Sequence, residues 1–354
     1  MFIVGQALFE TGMANKIGSL VTRFAKTERQ CIIAVMLITG LMSGFLSNTG
    51  TAAVLIPVVI GIAASSDFSR GKLLMPLVFA AALGGNLIGT NALNELGIET
   101  GFFEYIGVGL PTLVFGILYF AVFGYKLLSD NKDLVSADDG QFAAKDFSGV
   151  PVWKQTASLV ILILSILAMI FEKQIGVKLH VSASVGAIIL ILTGVISEKE
   201  ALRSIDLKTV FLFGGSLALA SALETTGAGT LVADAIIHAL GDTPSPFLLL
   251  LVTWIITCAL TNFMSNTATT ALMDPIAVAL AQGVGADPRA VVVATVIAGS
   301  CAYATPIGMP ANTMVVGIGG YSFRDYVKAG LPLIGVSFVI CMVLLPILFP
   351  FFPG

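Results

Sequence analysis

Between Cys31 and Ser66 the chain carries no charged residue. As one helix, the 34 apolar or neutral residues from Cys31 to Ala64 would measure about 51 Å, against a hydrocarbon core of about 30 Å. Two full crossings need about 40 residues and a turn. The arrangement that fits is a re-entrant hairpin, which enters the bilayer, turns, and leaves on the side it came from. The stretch FLSNTGTAAVLIP (Phe45–Pro57) places Ser47, Asn48 and Thr49 near the middle of this run, where the turn would fall. Composition agrees: 56% of residues are hydrophobic, 11% are charged, and the mean hydropathy is +0.97. Soluble domains carry about 25% charged residues. The expected class is an all-α polytopic membrane protein.

The pattern recurs. FMSNTATTALMDP (Phe263–Pro275) repeats the Ser-Asn-Thr triplet 218 positions later, with a proline again eight residues past the threonine. Residues 247–282 have the same length problem and form a second expected hairpin. Two further segments, 73–93 and 290–319, are interrupted by GGNLIGTN and ATPIGMPAN and read as broken transmembrane helices. Single spans are expected at 2–20, 106–125, 155–172, 178–196, 207–224 and 329–350. Residues 131–154 are the one long polar stretch. The expected organisation is a first repeat over 1–130 (hairpin 31–64, broken helix 73–93), a cytoplasmic linker over 131–154, and a second repeat over 155–354.

Charge supports that layout. With the linker inside, fifteen Lys and Arg fall on the cytoplasmic side, and only Lys173, Lys178 and Arg289 fall outside. That is the positive-inside bias of an inner-membrane protein. ALFETG (7–12) matches ALETTG (222–227), and FFEYIGVGLP (102–111) matches FRDYVKAGLP (323–332). The two hairpins enter from opposite sides, which is an inverted-topology repeat, a common build for secondary transporters. The second repeat has two spans ahead of its matched helix and the first has none. Comparing the repeats therefore implies roughly 60 residues upstream of this chain.

The tips carry the chemistry. Each hairpin's second arm begins at Ser-Asn-Thr, residues that cap helix starts. The first N–H groups of a helix lack intrahelical acceptors, and its dipole places partial positive charge there. An oxyanion suits such a place. The first arm ends there with free carbonyls. These oxygens, with the hydroxyls of Ser43 and Ser47 or Thr261 and Ser265, and the Asn48 or Asn266 amide, suit a hard cation such as sodium. No Lys or Arg lies deep in an apolar segment. Pro306 and Pro310 lack N–H groups and free further carbonyls. The four cysteines lie in apolar segments and read as small buried hydrophobes. An intramembrane enzyme would need a nucleophile–base pair. His180 and His238 lie near outer boundaries and supply none. Asp274 reads as sitting at the water-facing mouth of its hairpin, or else as a proton site. Paired polar triplets can also be simple interhelical glue, and Gly84, Gly85 and Gly89 simple packing residues.

The paired SNT tips, ATPIGMPANTMVVGIGGYSFRDYVKAGLP and FLFGGSLALASALETTG resemble the divalent-anion:sodium symporter (INDY-like) family over essentially the whole chain. That resemblance implies a homodimer with scaffold and transport domains, working by an elevator movement. It implies sodium-coupled uptake of a small divalent anion, foremost a C4-dicarboxylate. Substrate contacts would be Ser47, Asn48, Thr49, Ser265, Asn266 and Thr267. One sodium site would take Ser43, Ser47, Asn48 and the 84–91 loop through Gly89. Its mirror would take Thr261, Ser265, Asn266 and the 305–312 loop through Thr305, Gly308 and Asn312. No nucleic-acid partner is implied. The chain departs from the family in its short first loop, in Met309 and Ala311, and in its clipped start. Other readings are a sulfate or other oxyanion transporter, an exchanger or proton-coupled carrier, or an inactive membrane fragment.

Overall fold

The structure is a computed structural model. It describes residues 2–13, 16, 25–66, 68–87, 105–130, 147, 149–171, 175–177, 179–205, 244–352 and scattered positions between 207 and 241. Among them every regular element is a helix. In chain order these are α1 (Phe2–Glu10), α2 (Glu28–Phe45), α3 (Asn48–Ser66), α4 (Arg70–Gly84), α5 (Ile106–Val122), α6 (Val152–Ile170) and α7 (Leu179–Leu192). There follow α8 (Glu198–Arg203), α9 (Pro246–Thr261), α10 (Asn266–Gly283), α11 (Arg289–Gly299), α12 (Pro310–Gly319) and α13 (Phe323–Leu348). Of these, α2 and α13 are long and apolar enough by themselves to cross a membrane. Gly89, most of the 131–154 linker and most of the expected 207–224 span lie outside the described residues.

The chain packs as two compact units. One comprises Met1–Gly85, Phe120–Asp206 and Met314–Ser322; the other comprises Asn86–Tyr119, Leu207–Thr313 and Phe323–Gly354. In the first unit α2, α3 and α4 pack on one another. Gly40 on α2 and Gly84 on α4 meet backbone to backbone. At the opposite, N-terminal ends of these two helices Lys72 bridges Asp130 (2.6 Å) and Glu28 (3.3 Å), and Glu28 accepts the Ser69 N–H at 2.8 Å. Beside this trio, α1, α6, α7 and α8 share an apolar core built on Val4, Leu8, Leu162 and Leu190. Tyr321 closes the unit: its hydroxyl accepts the Met75 N–H (2.8 Å) and donates to Gly71 O (2.5 Å). It thus occupies the place of a bond in the α4 ladder.

In the second unit α9, α10 and α11 form a matching trio, with α13 against α9 and α11. Gly109 of α5 rests on the backbone of Asn86 and Leu87, and Gly330 of α13 rests on that of Tyr303 and Ala304. These are the glycines of the matched GVGLP and KAGLP segments.

Several helices begin earlier than the apolar pattern suggests. Thr27 and Gln30 form a reciprocal capping box that draws Glu28 to Gln30 into α2. Pro151 lies just before α6, and its C=O accepts from Lys154 N–H, so Val152 to Lys154 are helical rather than linker. The apolar part of α2, Cys31 to Phe45, measures about 22 Å, short of the ~30 Å core.

Candidate functional site

The first hairpin breaks over only Leu46 and Ser47. Ser47 is the cap: its Oγ accepts the Gly50 N–H at 3.4 Å, and its C=O accepts the Thr51 N–H at 2.8 Å. Asn48 and Thr49 are thus the first two helical residues of α3, where N–H groups have no intrahelical acceptor. Ser47 is exposed, while Asn48 and Thr49 are half-buried. Ser43, buried in the last turn of α2, lies 2.7 Å from Asn48 Oδ1 and 2.6 Å from Ala81 O on α4. Gly85 completes the cradle. A Cβ there would fall 2.6 Å from Asn48 Oδ1, so the amide lies flat on this glycine.

The second hairpin repeats these contacts. Thr261 ends α9, and its hydroxyl meets Asn266 Oδ1 at 3.0 Å and also bonds Gly299 O on α11. Ser265 caps α10 through Ala268 N–H at 3.3 Å. Thr261, Asn266 and Gly299 follow Ser43, Asn48 and Ala81 by the same 218 positions as the two triplets. The repeat visible in the sequence is therefore also a repeat of tertiary bonds.

A feature of both clusters follows from counting protons. Ser43 has one hydroxyl proton and faces two acceptor oxygens, and Thr261 does likewise. With the amide oxygen turned inward, each cluster is short of a proton and rich in negative oxygen. Turning Nδ2 inward instead would close the network on itself. Among the described residues, no charged side chain and no group of His, Cys, Asp or Glu fit for a metal enters either cluster. An all-oxygen set of this kind suits a hard cation rather than a soft transition metal.

The second cluster has a further layer. The chain between α11 and α12, residues 300–309, folds over the end of α9. Thr305 Oγ1 donates to Asn262 O (2.5 Å) and accepts the Gly308 N–H (3.1 Å). A Cβ on Gly308 would stand 2.8 Å from Thr261 O. Asn312, fully buried, donates from Nδ2 to Ala302 O (2.7 Å) and Thr305 O (3.0 Å), while its Oδ1 has no partner. Thr261, Ser265, Asn266, Thr305, Gly308 and Asn312 thus share one neighbourhood.

Sequence reasoning missed Ala81 and Gly299, because only their carbonyl oxygens act and no side chain advertises them. It also passed over Asn262, whose Nδ2 reaches Cys258 O (2.8 Å) and Cys301 O (3.2 Å) and whose Oδ1 accepts Ala304 N–H (2.9 Å). A second amide four residues before Asn266 in an apolar run was the available signal. Its repeat counterpart is Gly44. His238 is exposed, and Asp274 lies half-buried two turns into α10.

The family model described as Citrate transporter (CitMHS) matches residues 1–298. The chain is 30% identical to an "uncharacterized transporter" of Haemophilus influenzae over 84% of this chain and 68% of that protein. It is 26% identical to the sodium-dependent dicarboxylate transporter SdcS of Staphylococcus aureus, over 93% of this chain and 71% of that protein. It spans 64% of a Methanocaldococcus jannaschii transporter and 25% of Escherichia coli YfbS. Among solved structures, the Alcanivorax borkumensis YdaH transporter superposes with a TM-score of 0.66 at 15% identity. It covers 99% of this chain and 85% of the YdaH chain. The fold is therefore that of multi-pass membrane transporters.

Proposed function

The chain belongs to the citrate transporter family, and from that footing we propose that it is a sodium-coupled symporter of a small divalent anion, foremost a C4-dicarboxylate, in the inner membrane. The observation that carries the proposal is the pair of equivalent clusters, Ser43–Asn48–Ala81 and Thr261–Asn266–Gly299, each set at the start of a helix. In the first unit the N–H groups at Asn48 and Thr49, with Ser47, receive a carboxylate. In the second unit Asn266 and Thr267, with Ser265, offer an equivalent place. The helix dipoles favour negative charge at both places without a basic side chain.

Sodium enters each cluster among Ser43 Oγ, Asn48 Oδ1 and Ala81 O, and among Thr261 Oγ1, Asn266 Oδ1 and Gly299 O. Thr305, Gly308 and Asn312 shape the second site. The cation holds the asparagine amide with its oxygen inward, which leaves Nδ2 for the carboxylate. That sharing of one amide is the coupling: either ligand fixes the orientation the other needs. Transport is then an elevator movement of the tips within a homodimer.

The test is uptake of labelled succinate into proteoliposomes. An inward sodium gradient should accelerate it at least tenfold over choline, and Asn48→Ala or Asn266→Ala should abolish it. Uptake driven equally well by a proton gradient without sodium would overturn the coupling ion. Sodium-driven uptake of labelled sulfate with no uptake of labelled succinate would overturn the substrate.

A further inference from the structure

Helical threonines usually turn their hydroxyl back onto the carbonyl four residues earlier, a bond available without any tertiary partner. Thr156, Thr257, Thr270 and Thr295 do so here, with O···O distances of 2.7–3.1 Å. Thr51 and Thr269 do not. Both are wholly buried, and neither Oγ1 has any hydrogen-bond partner. They are repeat equivalents, again 218 positions apart, each four residues past its capping serine. Two other threonine hydroxyls are buried without a partner among the described residues. These are Thr39 and Thr253, and they fall on the remaining two hairpin arms.

Position gives these hydroxyls a role. Thr51 follows Asn48 by three residues, and Thr269 follows Asn266 by three, so each shares its helix face with the amide. Each lies about 4.5 Å further along the helix axis, just inward of a cluster that lacks a proton. A hydroxyl there that spends neither its lone pairs nor its proton on the protein presents an oxygen to a cation. Valine has nearly the same shape and would avoid burying an unpaired polar atom.

We infer that Thr51 in the first unit and Thr269 in the second are inner ligands for a dehydrated monovalent cation of sodium size, held on its other side by the Ser43 or Thr261 cluster. This rests on the sodium reading above and adds to it a ligand one turn deeper in each unit.

The experiment follows thermal unfolding of the full chain in detergent, titrating sodium chloride against choline chloride at constant ionic strength. Wild type should gain stability with sodium. Thr51→Val and Thr269→Val should each raise the half-saturating sodium concentration at least fivefold, while Thr51→Ser and Thr269→Ser stay within twofold of wild type. In choline chloride alone the valine variants should melt no lower than wild type, which separates lost cation binding from damaged folding. Valine variants with wild-type sodium midpoints would overturn this inference and leave the sodium reading standing. No sodium response in wild type would overturn both. Valine variants that melt early in choline would mean the hydroxyls serve the fold, which also overturns it.

Discussion

Gly84→Ala tests how tightly the first cluster depends on helix packing. A methyl on Gly84 would stand 2.7 Å from both Cα and the carbonyl carbon of Gly40. Packed carbon atoms lie about 3.5–4.0 Å apart, so α2 and α4 must separate by about 1 Å. Ser43 Oγ and Ala81 O, now 2.6 Å apart, would move to about 3.6 Å, beyond hydrogen-bonding range. The overpacking costs about 1–3 kcal/mol and the lost bond about 1 kcal/mol more. Together that lowers the melting temperature on the order of 5–10 °C, scaling from domains of known size. The assay is tryptophan-monitored melting of the full chain, paired with sodium titration. Gly299→Ala is the control, because its methyl would meet the Thr270 Cγ2 atom, a side-chain end, at 2.6 Å rather than a neighbouring helix backbone. Its effect should be smaller. A Gly84→Ala protein that melts within about 1 °C of wild type, with an unchanged sodium midpoint, would refute the claim that this crossing sets the cluster.

Other perturbations follow from the same geometry. Asn262→Ala strips the side-chain partners from Cys301 O and Ala304 N–H, at about 1–3 kcal/mol for each buried group left unmet. It should lower the melting temperature and weaken sodium binding at the second cluster, read by melting and titration together. Tyr321→Phe removes the hydroxyl set between Gly71 and Met75 and lets α4 close its own bond. The net loss should be about 1 kcal/mol, and a loss above about 3 kcal/mol would contradict it. Asp287 sits outside the spans. Burial raises its carboxyl, but the hydrogen bonds and charge of Arg289 outweigh that and hold it below the usual 3.8. A depressed folded value means its stabilisation is present above the unfolded value of about 3.9 and is lost as pH falls through the folded one. The melting difference between wild type and Asp287→Asn should therefore persist at pH 6, begin to shrink as pH falls below about 4, and disappear only once pH has passed the depressed folded value. A difference independent of pH would contradict it.

The tips were legible because Ser47–Thr49 and Ser265–Thr267 are polar residues stranded in apolar runs, and lipid tolerates such residues only with a partner or a purpose. The second broken helix was legible because Pro306 and Pro310 cannot continue a ladder, and the structure leaves residues 300–309 non-helical. Helix starts were less legible. Glu28 and Val152 begin helices because a capping box and Pro151 decide there, outside the reach of hydropathy. Ala81 and Gly299 were illegible, since any residue brings a carbonyl oxygen and only tertiary packing selects which one meets Ser43 or Thr261. Thr51 and Thr269 stood in the quoted motifs, but their burial and lack of a back-bond appear only once the arms are folded. The compact units also cross the sequence repeats: Asn86–Tyr119 packs with the second hairpin, and Met314–Ser322 with the first. Composition along the chain carries no trace of that exchange.

The most direct measurement is succinate affinity of the purified full chain by calorimetry, at graded sodium and constant ionic strength. The account predicts at least tenfold tighter succinate binding in saturating sodium than in choline, with succinate tightening sodium by the same factor, as linkage requires. Succinate binding with one affinity in both salts would contradict it.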